Sequence, residues 1–394
     1  MRLPRRLTAS AAASTLIVTT LVGCDSGSGS DAKTEILIGA DLALSSPADA
    51  AYGRALQLRV EQLNASGELG AHTLALRILD NRSDPKSSAR NIATLAEDSS
   101  VAALITGSCS ECTVTAAKTL NDQRVPTIAL ASADEVASPV EARRYVFKLG
   151  PNSADSAATL ADEIKRAKHK RIGIIYSDDL YGRGPEGQQA QGAVGHMRAA
   201  LESVAVPVTG AVAVKPTNTD LGPAVTELLD GEPTAVVVLT GSDQSTYAAT
   251  SLKSAGFKGR MYFDANAAGD LFLTQEATQP VNNATMVFTQ ILAIDDVIAT
   301  TPAKAARKQW FRDYTSRYDT YSGVAAFGAD AVSLIGDAVA RAGGDRQQIR
   351  DILETSQTDG LSGPIRLTPD NHSALMPQSL TLLVARSGRW RLLS

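Results

Sequence analysis

Cys109 and Cys112 flank Ser110 and Glu111 in a Cys-x-x-Cys spacing, just where a helix is expected to begin. A helix N-terminus lowers a thiol pKa, so such a pair can work as a dithiol–disulfide couple. The aromatic or proline neighbour usual in thiol oxidoreductases is missing, and no further ligands for a two-cysteine metal site are evident. A structural disulfide that fixes the loop is favoured over two free thiols. The four histidines, His72, His169, His196 and His372, are scattered, and His169 sits in a lysine-rich stretch that reads as a solvated helix end. Neither a Gly-x-Ser-x-Gly elbow nor His-Glu-x-x-His occurs. Gly182-Arg183-Gly184-Pro185-Glu186-Gly187 fits a dinucleotide fingerprint literally. However, Ser177–Tyr181 separate it from its strand and Pro185 interrupts it, so it reads as a turn before a helix. No catalytic residue, cofactor or metal site is expected, and the chain reads as a binding protein rather than an enzyme.

The third cysteine has a different chemistry. Arg2, Arg5 and Arg6 precede an uncharged apolar stretch, Leu7 to Val22, which ends in Leu21-Val22-Gly23-Cys24. Small residues before a cysteine form a lipoprotein signal, in which Cys24 becomes the lipid-bearing N-terminus; an ordinary secretion signal with an incidental cysteine is the plainer alternative. The stretch is short and weak for a spanning helix, which needs about 20 strongly apolar residues. Each buried acyl methylene contributes about 0.8 kcal/mol, so a multi-acyl anchor holds where one chain would not. Residues 1–23 therefore read as signal peptide and 24–33 as a flexible polar linker. The expected location is the extracytoplasmic face of the cell membrane, held by lipid only. Loss of residues 1–23 removes three arginines and no acid, taking the formal charge from −4 to −7. With no basic cluster interleaved with aromatics, nucleic acid is not an expected partner.

About 360 residues remain, more than one hydrophobic core usually holds, so two lobes are expected. Short apolar runs alternate with helical patterns, the signature of parallel α/β sheets. Strands are expected at 36–39, 74–79, 101–106, 127–130, 171–176, 212–214, 235–239 and 260–263. Helices are expected at 53–64, 87–97, 113–121, 153–167, 186–203, 221–229 and 244–255, with Ser87 and Ser88 as caps of the second. Further on come 286–292, helical stretches at 303–318 and 325–342, and two strand-like segments, 379–385 and 389–393. Two such lobes around a cleft can close on a solute by hinge motion. The strand 101–106 runs into Gly107-Ser108-Cys109-Ser110, where backbone N–H groups and a hydroxyl suit a polar or anionic ligand group. Ser110 also suits a helix cap.

From about Glu35 onward the chain resembles the branched-chain amino-acid (leucine/isoleucine/valine) binding proteins, type I periplasmic binding proteins that serve ABC transporters. The landmarks are Ile38-Gly39, Ser46-Pro47, Ala51-Tyr52-Gly53, Leu63-Asn64-Ala65-Ser66-Gly67, Asp80 and Asp84-Pro85. They continue through Gly107 and Ser110, Val125-Pro126, Tyr145–Pro151, Ile174-Ile175-Tyr176 and Asp179-Leu180-Tyr181-Gly182. Late in the chain stand Phe311, Tyr314, Tyr318, Asp330-Ala331-Val332, Asp359–Ile365 and Asp370-Asn371-His372.

The resemblance implies two Rossmann-like lobes with parallel sheets joined by a three-strand hinge. By analogy lobe 1 is 34–149 and 283–362, and lobe 2 is 150–282 and 363–394. It implies ligand contacts at Tyr52, at Ser110 (Glu111 after a one-residue shift), at Ala131, Ser132 and Ala133, and at Tyr181. Ser242 or Asp243 stands at a position that is often aromatic. The carboxylate that amino-acid binders place against the ligand ammonium falls on Asn266, with Asp264 two residues earlier. The hydroxyl expected in the loop after the fourth strand falls on Ala133, with Ser132 beside it. The implied function is delivery of a small polar ligand, an amino acid or a related amide or acid, to an ABC permease, by a protein expected to be monomeric. The rivals are a ligand-sensing or cell-envelope interaction module without a transport role, and an exported thiol oxidoreductase using Cys109 and Cys112.

Overall fold

Strand β1 (Thr34–Leu42) carries an almost unbroken buried run, because a strand inside a parallel sheet is covered on both faces. In the computed structural model, which describes residues 33–188, 191–268 and 280–393, it pairs in parallel with β2 (His72–Asp80) and β3 (Val101–Thr106). With β4 (Thr127–Ala129) and β5 (Val146–Lys148) the order is β2-β1-β3-β4-β5, a doubly wound sheet whose strand order reverses between β1 and β3. The expected signal, Cys24 and the linker up to residue 32 lie outside the described residues.

The second sheet repeats the design. Strands β6 (Ile172–Ser177), β7 (Val208–Val214), β8 (Ala235–Leu239), β9 (Arg260–Phe263) and β10 (Thr285–Thr289) run in the order β7-β6-β8-β9-β10. A hairpin of β13 (Leu380–Arg386) and β14 (Arg389–Leu392) extends it, β13 lying antiparallel to β10. A small antiparallel pair, β11 (Gln357–Asp359) and β12 (Pro364–Arg366), stands apart. The α/β architecture of two lobes with parallel sheets is thus present, parallel except at its final hairpin. Strand β10 corrects one expected boundary: residues 285–289 pair with β9 and β13 and so join the second sheet, not the first lobe.

Helix α1 (Pro47–Ser66) begins six residues before its expected start, with Pro47 in its first turn, and ends at Gly67 in left-handed conformation. Helix α2 (Pro85–Glu97) is capped by Asp84, whose carboxylate accepts the N–H groups of Lys86 and Ser87; the hydroxyl of Ser87 also donates to Asp84. Ser87 and Ser88 are therefore not the caps, because the residue before the helix-starting proline has the extended backbone that a cap requires. Helices α3 (Ser110–Asp122) and α4 (Ser153–Arg166) follow β3 and β5. Helix α5 (Ala193–Ser203) starts seven residues later than expected. Gly184 and Gly187 take positive φ around Pro185, so Glu186 and its neighbours form a turn. Helices α6 (Gly222–Leu229) and α7 (Ser242–Ser254) complete the second lobe's crossovers.

After β10 the chain returns to the first lobe as α8 (Pro302–Tyr318), α9 (Ala325–Ala342) and α10 (Arg346–Glu354). Helix α9 is buried nearly all round against α1. Asp330 on α9 pins the loop before β12, accepting the N–H groups of Leu361 and Ser362 and the Ser362 hydroxyl. The chain then crosses beside β5, where Lys148 N donates to His372 O at 2.8 Å and Ala374 N to Lys148 O at 2.7 Å. The His372 ring packs on Phe147 with centroids 4.4 Å apart.

Candidate ligand-binding cleft

In doubly wound sheets the crevice opens at the C-terminal strand ends, where the strand order reverses. The two sheets turn these ends toward each other and enclose a cavity of about 480 Å³. One wall comes from the loops after β1, β3 and β4, the other from those after β6, β7, β8 and β9, and Val324 and Phe327 of the α9 region close one side.

The first wall is tied from beneath by Asp49 on α1, which accepts Ala43 N at 2.7 Å and Ser108 N at 2.9 Å. Burial pushes its carboxyl above the usual value against the pull of these bonds. Position 107 must be glycine, since any side chain there would strike the Asp49 carboxylate. Tyr52 donates its hydroxyl to Leu130 O at 3.2 Å, and Ala133 N donates to Ser110 Oγ at 3.2 Å, so two strand-end loops are bonded to one another. Cys109 and Cys112 are joined by a disulfide across the first turn of α3. Lys148, fully buried, donates from Nζ to Ser132 O at 3.2 Å. Burial lowers its pKa, although Asp134, Asp155 and Glu135 oppose the shift.

The second wall is organised by Asp179, which accepts the Ser177 hydroxyl at 2.7 Å and Gly182 N at 2.8 Å. That turn presents Tyr181, 7 % exposed, whose hydroxyl donates to Asp264. Asp264 is 1 % exposed, and burial drives its carboxyl well above the usual range. Its Oδ1 has no hydrogen-bond partner among the described residues. Asp243, in the first turn of α7, is an exposed residue whose carboxyl is nonetheless pushed upward by desolvation. The walls touch where Leu180 N donates to Glu111 Oε1 at 3.1 Å and Ser132 Oγ to Asn266 Oδ1 at 3.3 Å.

Of the residues expected at the ligand, Tyr52, Ser110, Ser132, Tyr181, Asp243 and Asn266 line the cavity. Ala131, Ala133 and Asp264 are buried and form no part of its wall; the Ala133 N–H is already taken by Ser110. Glu111, the one-residue alternative to Ser110, also lines it. Sequence reasoning missed Asp179, Gln244, Leu130 and Phe327. Asp179 had a local signal, because an Asp three residues before a glycine turn commonly binds turn N–H groups. Phe327 had none, since its helix reads only as buried.

The sequence matches the family profile described as periplasmic binding protein over residues 35–388. No curated protein matches it. Among solved structures, it is similar to an extracellular ligand-binding receptor from Rhodopseudomonas palustris HaA2, at 23 % identity and a TM-score of 0.81 over 92 % of this chain and 100 % of that one. A leucine-binding protein from Thermotoga maritima MSB8 gives 19 % identity and 0.77 over 91 % and 98 %. An ABC transporter substrate-binding protein from Desulfitobacterium hafniense, in complex with Leu, gives 17 % and 0.73 over 91 % and 100 %. At these identities the structural likeness establishes the fold.

Proposed function

This chain belongs to the periplasmic binding protein family, and from that premise we propose that it is a solute-binding lipoprotein, anchored through Cys24, that delivers a small polar ligand to an ABC permease. The ligand class is an amino acid or a related amide or acid. The observation that carries the reading is the cavity of about 480 Å³ between the reversal points of two doubly wound sheets. It lies within the range of small-molecule sites, about 300–1,000 Å³. Support for the amino-acid class comes from the leucine-binding structures with the same fold, and from the hydroxyls of Ser110, Ser132 and Tyr181 in the wall. The cleft wall carries the hydrogen-bonding groups that a binding site for a small polar ligand needs.

A thermal-shift screen against amino acids, amides and small carboxylates tests it. A ligand at 100 times its dissociation constant stabilises the folded state by about 2.7 kcal/mol, a readily measured rise. Co-purification of the lipidated protein with a permease tests the transport role. A protein that binds its ligand tightly but engages no permease would instead be a sensor.

A further inference from the structure

The Cys109–Cys112 bridge closes a single turn, and the two residues inside it each fasten a different part of the cleft. Ser110 Oγ accepts Ala133 N from the loop after β4, and Glu111 Oε1 accepts Leu180 N from the opposite wall. On either side the chain is held without the bridge. Asp49 accepts Ser108 N at 2.9 Å, and the buried hydroxyls of Thr106 and Thr113 bond at 2.8 Å. Residues 109–112 are therefore the stretch whose placement depends most directly on the sulfur–sulfur bond. The two sulfurs are unequal. Cys109 is half-buried and lines the cavity, whereas Cys112 is 5 % exposed and stands outside its wall. Cys109 is also the N-cap of α3, its Sγ accepting Cys112 N at 3.1 Å, which suits a thiolate once the bond opens. A disulfide that a solute can reach is the kind that exchanges with thiols, and a ring this small adds little to the stability of the fold.

We propose that Cys109 is a site of thiol–disulfide exchange reached through the cleft, and that reduction unfastens Ser110 from Ala133 and Glu111 from Leu180. A thiolate of a small dithiol attacks Cys109 Sγ; the bond to Cys112 breaks and Cys112 leaves as a thiolate. The second thiol of the reagent, as thiolate, then attacks the reagent sulfur bound to Cys109. A cyclic disulfide closes and the Cys109 thiolate is released. Two electrons and the reagent's two thiol protons pass to the cysteine pair. The inference needs the cavity but no particular ligand in it, so it stands or falls apart from the transport reading.

Dithiothreitol without denaturant, added to the exported, ligand-free protein, tests it. Peptide mass spectrometry after alkylation should find both cysteines reduced while circular dichroism shows the fold intact. Amide hydrogen exchange should then be at least tenfold faster at Ala133 and Leu180 and unchanged at Ser108, and reoxidation should restore it. Single variants separate the two sulfurs. With oxidised glutathione, Cys109 in the Cys112→Ser protein should form a mixed disulfide at least tenfold faster than Cys112 in the Cys109→Ser protein. A bond that opens only when the whole fold opens overturns the proposal, as does equal or reversed reactivity of the two cysteines. Reduction with unaltered exchange at Ala133 and Leu180 also overturns it, leaving the bridge as a fastening of its own turn alone.

Discussion

His196 Nε2 on α5 stands 2.9 Å from Asp134 Oδ2 in the loop after β4, so one pair joins the two lobes outside the cavity wall. The Asp134 hydrogen bond raises the His196 imidazole above its ordinary value, outweighing burial. Burial pushes Asp134 upward, but His196 and Lys148 together hold its carboxyl below the usual value. Partly buried Glu135 also faces this group, its own carboxyl raised by burial.

Closing the lobes therefore favours a protonated His196. Its contribution is complete below about pH 6.5, the ordinary histidine value, and is lost as pH rises through the raised value. The contribution of Asp134 has the opposite sign. It is present above about pH 4 and is lost as pH falls through the lowered value. Between about pH 6 and about 8.5 ligand affinity should fall, by about twofold to fivefold for a partly exposed pair. His196→Gln should flatten this dependence, as measured by titration across that range; identical profiles for variant and parent would remove the pair from closure.

Tyr181 both lines the cavity and covers Asp264. Tyr181→Ala should weaken ligand binding by about 1.5–3 kcal/mol, roughly tenfold to a hundredfold. From the sequence, a cleft-facing ring is expected to matter little for the ligand-free protein, but the bond to buried Asp264 changes that. Tyr181→Phe should lower ligand-free stability by about 1–3 kcal/mol, because it leaves a buried carboxylate oxygen without its donor. In an Asp264→Leu background the same change should cost much less, and denaturant unfolding of the four proteins in that cycle measures the coupling.

The Cys109–Cys112 disulfide closes a very small ring, so reduction should cost only about 1–2 kcal/mol of stability. Its larger effect should be on affinity, since Cys109, Ser110 and Glu111 all line the cavity. Intact mass after alkylation without reductant should show no modified thiol at either position. Two alkylated thiols in freshly exported protein would contradict the bridge.

Cys24→Ala should leave unprocessed precursor or release protein from the membrane fraction. Fractionation with metabolic lipid labelling checks this, and a labelled, mature-length variant would rule out Cys24 as the anchor site.

Local signals in the chain carried much of this molecule. The alternation of apolar runs and helical stretches established two α/β lobes, because a strand covered on both faces needs continuous apolar residues and a crossover helix needs one buried stripe. The βα loops were legible for the same reason: Ser110, Ser132 and Tyr181 each lie a few residues beyond a strand end, which is where a parallel sheet opens its crevice. Local rules failed at the turn after Tyr181, where residues 186–188, expected to begin a helix, stand instead in a turn with Gly184 and Gly187 at positive φ. What came only from tertiary structure has no local trace. That β10 joins the second sheet depends on pairing with β9 and β13, the latter about a hundred residues away. Periodicity marks the buried face of α9 but not what covers it, so Phe327 reaches the cavity unannounced. The bond between Asp134 and His196 likewise exists only once the lobes stand face to face, because charge pairing is set by distances of a few ångströms through space and not by separation along the chain.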